Sequence, residues 1–128
     1  MNPPPPTPYI LWGAMGATHL VLVGVGTQLG TPELHTPAAP LLGVGVVMAT
    51  LSVLLGLPVV RLGLPAPTRA IVRWAFAETA TLLGLVASMS GGVMYLYAGA
   101  AFGLLAWGAA FPTDAASWSG DSGGRREG

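Results

Sequence analysis

Hydrophobic and polar positions along this chain fall into four long apolar runs, at residues 9–30, 39–60, 69–89 and 93–111, separated by short polar or proline-rich breaks. Each run approaches the ~20 apolar residues that carry a helix across a bilayer, and none is expected to form a strand. The breaks suit helix ends. Pro8 precedes the first run, and "GTPELHTPAAP" divides it from the second. "RLGLPAPT" divides the second from the third, with Thr68 placed as an N-cap. "SGG" at 90–92 turns the chain back into the fourth run, which Pro112 stops. Pro58, near the end of the second run, is expected to kink its last turn. The expected fold is all-α: a four-helix transmembrane bundle over residues 9–112. A Pro-rich segment at 1–8 precedes it, and a polar, Ser/Gly-rich tail at 113–128 is expected to be disordered.

Composition sharpens this picture. Of 128 residues, 52% are hydrophobic and 8% charged, against roughly 25% charged in soluble domains. Too few polar side chains remain to clothe a soluble surface, so the lipid bilayer is the expected partner. With no cysteine, there is no disulfide framework, thiol chemistry or cysteine metal site. "MNPPPPTPY" lacks a basic n-region, so no cleaved signal peptide is expected, and neither end carries a lipidation pattern.

The net charge of zero hides an asymmetry. All the basic residues are arginines: Arg61, Arg69 and Arg73 around the second connection, Arg125 and Arg126 in the tail. With four spans these fall on one side, and the positive-inside rule places both termini in the cytoplasm. Trp12, Trp74 and Trp107 lie near the same helix ends, with Tyr95 and Tyr97 towards the other face, as interfacial aromatics do. The expected location is a bacterial inner (plasma) membrane.

Several motifs are set aside on physical grounds. "GDSGG" at 120–124 spells the serine-protease string, but that chemistry needs a His and an Asp delivered by a large β scaffold. "GVGTQLG" at 24–30 has no strand before it to make a dinucleotide loop. Glu33 and His35 in "PELH" are too few to hold a metal. No metal, cofactor, nucleic-acid partner or enzymatic chemistry is expected. Gly26/Gly30 and Gly99/Gly103 each fit G-x-x-x-G, which lets membrane helices approach closely. Packing within the bundle accounts for both. Gly99 and Gly103 are also a candidate self-association face, which would make the chain a homo-oligomer or part of a larger membrane complex.

One residue stands out. "RWAFAETATLLGLV" (73–86) carries Glu78 about 13 Å into its span at 1.5 Å per residue, near mid-bilayer. A charge there costs at least roughly 2.5–3.5 kcal/mol, and the side chain is too short to reach the interface. Arg73, five positions earlier, lies on a different helical face. His19 and Thr50 fall at similar depth on two other spans. The expectation is an interior cluster of Glu78 and His19 with Thr50 or Thr81, acting as a proton- or cation-binding site or as polar glue between helices. "ATHLVLVGV" from Ala17 and "AETATLLGL" from Ala77 also share Ala, Leu and Gly at matching offsets, a faint internal repeat.

Two resemblances follow from these residues. "RWAFAETATLLGLVAS" resembles the carboxylate-bearing helix of the c-type proteolipid subunits of rotary ATPases. That likeness implies an ion-carrying role for Glu78, a cytoplasmic loop at "RLGLPAPTR", and a glycine-rich partner helix at "GVGVV" (Gly43, Gly45). It covers about half the chain; the long glycine repeat of that family is missing, and two further spans flank the hairpin. "PYILWGAMGAT" is similar to the opening of small multidrug-resistance transporters, which also have four short spans, but Thr18 stands where their first-span Glu belongs. Two function classes result: a non-catalytic membrane scaffold or accessory subunit with a buried polar cluster at Glu78, and, as the alternative, a proton- or cation-translocating protein using Glu78 as carrier.

Overall fold

The computed structural model of the chain describes residues 6–29, 38–60 and 63–118. The described residues form four α-helices and no strand: α1 (Thr7–Leu29), α2 (Ala39–Leu54), α3 (Ala66–Gly91) and α4 (Val93–Ala109). α1 and α3, of 23 and 26 residues, are long and apolar enough to cross a membrane; α2 and α4 are shorter apolar helices of 16 and 17 residues.

Prolines decide where the middle helices stop and start. α2 does not run to residue 60 with a kink, as its hydrophobicity suggests, but ends at Leu54. A proline ring in a helix collides with the carbonyl four residues back, and Pro58 puts that collision at Leu54. The chain instead turns through Gly56 and Leu57, whose N–H groups donate to Val53 and Leu54, into a single 3-10 turn at Pro58–Val60. α3 begins three residues before its expected start. Pro65, extended at ψ 149°, is its N-cap and Pro67 sits in its first turn, where a missing N–H costs nothing. Thr68 is therefore an exposed residue of that first turn, not the cap.

Gly92 alone joins α3 to α4. Its φ of 108° and ψ of 155° belong to backbone that side chains exclude, so the hairpin depends on glycine there. The resulting helix pair is the centre of the bundle. Along α3 the buried positions Ala70, Trp74, Ala77, Thr81, Gly84, Ser88 and Gly91 recur four and three apart, a coiled-coil seam made mostly of small residues. Leu96, Gly99, Gly103 and Ala106 of α4 face it. A Cβ on Gly99 would stand 2.6 Å from the Gly84 Cα, and one on Gly84 2.8 Å from the Gly99 Cα, so the two backbones touch. α1 and α2 each pack on the α3–α4 pair and make little contact with one another. Gly45 sets α2 against α3, 3.3 Å from the Ala80 carbonyl measured from an ideal Cβ.

Burial is inverted relative to a water-soluble bundle. The interior is mostly Ala and Gly around Trp74 and Leu96, with His19, Ser52, Thr81 and Ser88 fully buried among them, while Leu20, Ile10 and Leu105 are 66%, 65% and 72% exposed.

Residues 113–118, expected as the start of a disordered tail, are folded. Ala115 and Ser117 close turns by donating to Pro112 and Asp114, and Asp114 pairs with Arg69 at 3.2 Å. Trp118 lies against Trp74 with ring centroids 6.1 Å apart. The composition is polar, but the arginine and tryptophan they meet come from α3, which no local reading of the tail contains.

Candidate functional site

α1 presents one narrow face to the bundle, set by Gly16, His19 and Gly26. The Trp107 ring lies over Gly16 and leaves no room for a Cβ; Leu85 and Leu96 close over Gly26 in the same way. His19 is clamped between these two close approaches and is fully buried. His19 and Glu78 each stand twelve residues from the first residue of their helix, about 18 Å along the axis and near the middle of the bundle. The residue of α3 that meets His19 is Thr81, so Glu78 is offset from it by about 4.5 Å along the axis.

The polar contacts at that level are selective. His19 Nδ1 and Thr81 Oγ1 are hydrogen-bonded at 2.6 Å, both residues buried. The other ring nitrogen, Nε2, is buried with no hydrogen-bond partner. The Trp107 ring lies 6.3 Å from the imidazole, tilted by 54°. Glu78 is half-buried on α3, one helical turn before Thr81. It makes no direct hydrogen bond to His19, whose Nδ1 is taken by Thr81. The expected cluster thus resolves into a buried His19–Thr81 pair with Glu78 at its rim.

Thr50 does not join it. Its hydroxyl donates to the Val46 carbonyl of its own helix, and the residue is exposed, lining an open apolar groove of about 260 Å³ between α2 and α4. The depth argument counted from Arg61 as if α2 reached it; with the helix ending at Leu54, Thr50 is one turn from the helix end. The polar residue that α2 does bury is Ser52, which donates to the Arg73 carbonyl at 2.7 Å.

The glycine pairs also separate. Gly99 and Gly103 are buried against Gly84 and Thr81, so they serve the α3–α4 seam and are not free as a self-association face. Gly26 is an α1 contact; Gly30 lies outside the described residues. So do Glu33, His35, Arg61, Arg125, Arg126 and the "GDSGG" string. Among the described residues no three His, Asp or Glu side chains converge as metal ligands. The faint repeat is not mirrored in packing: Gly84 is wedged against α4, whereas its counterpart Gly24 faces open space.

A second polar layer lies at the arginine end and was missed by sequence reasoning. Arg73 Nε donates to the Ser52 carbonyl at 2.9 Å and Nη2 to the Ala109 carbonyl at 3.2 Å, so one guanidinium ties the C-terminal ends of α2 and α4. Those ends carry the negative pole of each helix dipole and have no basic residue of their own. The guanidinium lies directly over Gly56, where a Cβ would have to displace it. Trp12 and Trp107 stack at 4.0 Å and 9°, and each indole N–H donates to the other's backbone carbonyl, at 3.0 and 2.9 Å. Trp74 Nε1 donates to Ala110 at 2.9 Å. The only sequence clue was three tryptophans at one bundle end; their reciprocal bonds depend on helix order.

Comparisons with known protein families, with curated proteins and with solved structures gave no match, so the two family resemblances rest on the quoted residues alone.

Proposed function

We propose that the protein is an integral membrane bundle of four spans, both termini cytoplasmic, that serves as a non-catalytic scaffold or accessory subunit. One observation carries this reading: the large aliphatic side chains point outward and the small and polar ones inward. In water such an exterior would be a continuous apolar surface far larger than monomers tolerate. In lipid it costs nothing, and association rests on close helix contact and interhelical hydrogen bonds, as at Gly84–Gly99 and His19–Thr81. The tryptophans and Arg69 and Arg73 gather at one end of the bundle, where an interface would hold them. α2 and α4 are short for a roughly 30 Å core, a mismatch that local thinning accommodates at modest cost. Glu78 at mid-depth, half-buried and without an ion pair among the described residues, is a flank that a neighbouring subunit would shield.

The chain has no cysteine, which makes the test direct. Single Thr36→Cys and Ser117→Cys variants are treated with a membrane-impermeant maleimide in intact cells. The reading expects the first to label from outside and the second only after permeabilisation; the reverse pattern, or a chain found in the soluble fraction, discards it. An assembly role further expects the chain to leave mild detergent in a larger complex. The second reading, proton or cation translocation using Glu78, draws on the unpartnered buried His19 Nε2 and on the half-buried Glu78 on α3. Carbodiimide modification of Glu78, slowed by high pH, supports it; an inert Glu78 removes it.

A further inference from the structure

We propose that Arg69 and Arg73 hold one phosphate group at their end of the bundle, carried by an anionic lipid headgroup or by free phosphate. The site is read from local geometry; only the lipid as its source rests on the membrane reading.

A cavity of about 70 Å³ lies between the first two turns of α3 and the residues that follow α4, lined by Arg69 and Arg73 with Gly56, Phe111 and Asp114. Its size suits a few waters or one small oxyanion. The arginines stand four residues apart, on one face of α3 and about 6 Å along its axis. Each guanidinium has five N–H donors. Arg69 gives one to the Leu64 carbonyl at 3.3 Å and one to Asp114 at 3.2 Å. Arg73 gives one to the Ser52 carbonyl and one to the Ala109 carbonyl. Three donors of each therefore have no protein acceptor among the described residues.

Charge points the same way. Like charges four residues apart on a helix repel, and Asp114 is the one carboxylate lining the cavity, so two cations meet one acid. The carbonyl ends of α2 and α4 offset part of the Arg73 charge but leave its other N–H groups unmet. A phosphate group supplies both missing things: negative charge, and several acceptor oxygens that match the guanidinium fork. Asp114 is the outer member of its pair, its side chain 39% exposed against 14% for Arg69, so it can give way without stranding a buried charge. Phe111, itself exposed, is the apolar part of the lining, beside which a lipid's chains would run. The indole bonds of Trp12, Trp74 and Trp107 lie at this same end, the depth of a membrane interface. Basic pockets between membrane helices at that depth take phospholipid headgroups.

The full chain in a neutral detergent is titrated by calorimetry with short-chain phosphatidylglycerol, short-chain phosphatidylcholine and inorganic phosphate in turn. A lipid site binds phosphatidylglycerol in preference to the zwitterionic phosphatidylcholine; a free-phosphate site binds inorganic phosphate and neither lipid. In either case Arg69→Gln is expected to weaken binding roughly fivefold, the share of one basic residue facing anionic lipid. Asp114→Asn removes the competing acid and is expected to strengthen binding roughly twofold or more. If the Arg69–Asp114 pair only clasped residues 113–118 to α3, that variant would gain no affinity for phosphate. Binding of none of the three probes, equal binding of the two lipids, or affinities indifferent to Arg69 and Asp114 would each overturn the proposal. The unsubstituted chain already separates the probes, so the outcome stands even if Arg69→Gln does not fold. A chain recovered from the soluble fraction would discard the membrane reading, and the inorganic phosphate titration would still decide the site.

Discussion

The α3–α4 seam and the α1 contact are two ways of holding helices together in one small bundle. Along the seam, Gly84, Gly99 and Gly103 bring backbone against backbone, and nearly every contact is van der Waals. α1 buries only Pro8, Gly16, His19 and Gly26, and is tied instead by a few directed bonds: the reciprocal Trp12–Trp107 pair and His19–Thr81. The seam works by excluding atoms, so it tolerates almost no added volume. The α1 contact adds matched donors and acceptors to its two close approaches at Gly16 and Gly26, so it is sensitive to lost partners as well as to added volume.

This contrast breaks first at the seam. Gly99→Val puts a branched side chain where even a Cβ lies 2.6 Å from the Gly84 Cα and 2.8 Å from the Ala80 carbonyl; a loss of about 3 kcal/mol or more is expected, at the upper end for overpacking. Reversible unfolding in mixed detergent micelles, followed by circular dichroism, measures it, and a near-neutral result would mean the helices are not in backbone contact. Next comes Trp107→Ala, which removes the 4.0 Å stack and an indole donor and should cost about 3 kcal/mol. Proteolytic nicking of α1 should rise while the α3–α4 hairpin stays protected; equal loss of both would erase the distinction between the two regions.

A smaller loss of about 1 kcal/mol is expected for Thr81→Val, which keeps the shape and removes the 2.6 Å bond to His19. The same assay detects it, and the His19 Nδ1 resonance should move. Thr50→Val sharpens the case by its silence. Its hydroxyl serves only its own helix on an exposed groove, so a change within about 0.5 kcal/mol is expected. A clearly larger effect would return Thr50 to the interior cluster.

Much of the architecture was legible because it is local. Hydrophobic runs and proline-rich breaks marked four helices, and depth counting brought His19 to within one turn of Glu78, at Thr81. The same counting failed for Thr50, since Pro58 cut α2 short and rotation about the helix axis is invisible to a depth count. Ser52, Arg73 and the tryptophan pair were not foreseen for a related reason. Each bonds to a backbone carbonyl on another helix, and carbonyl positions leave no trace in residue identity.

By itself, then, the sequence determined the number of helices and their apolar character, because hydrophobic period and chain rise are properties of one segment at a time. Only the tertiary structure decided that Gly99 and Gly103 face inward, that His19 takes Thr81 rather than Glu78 as its direct partner, and that Nε2 is left unmet. Those outcomes depend on how each helix is turned about its own axis, which is fixed jointly by the neighbours it packs against.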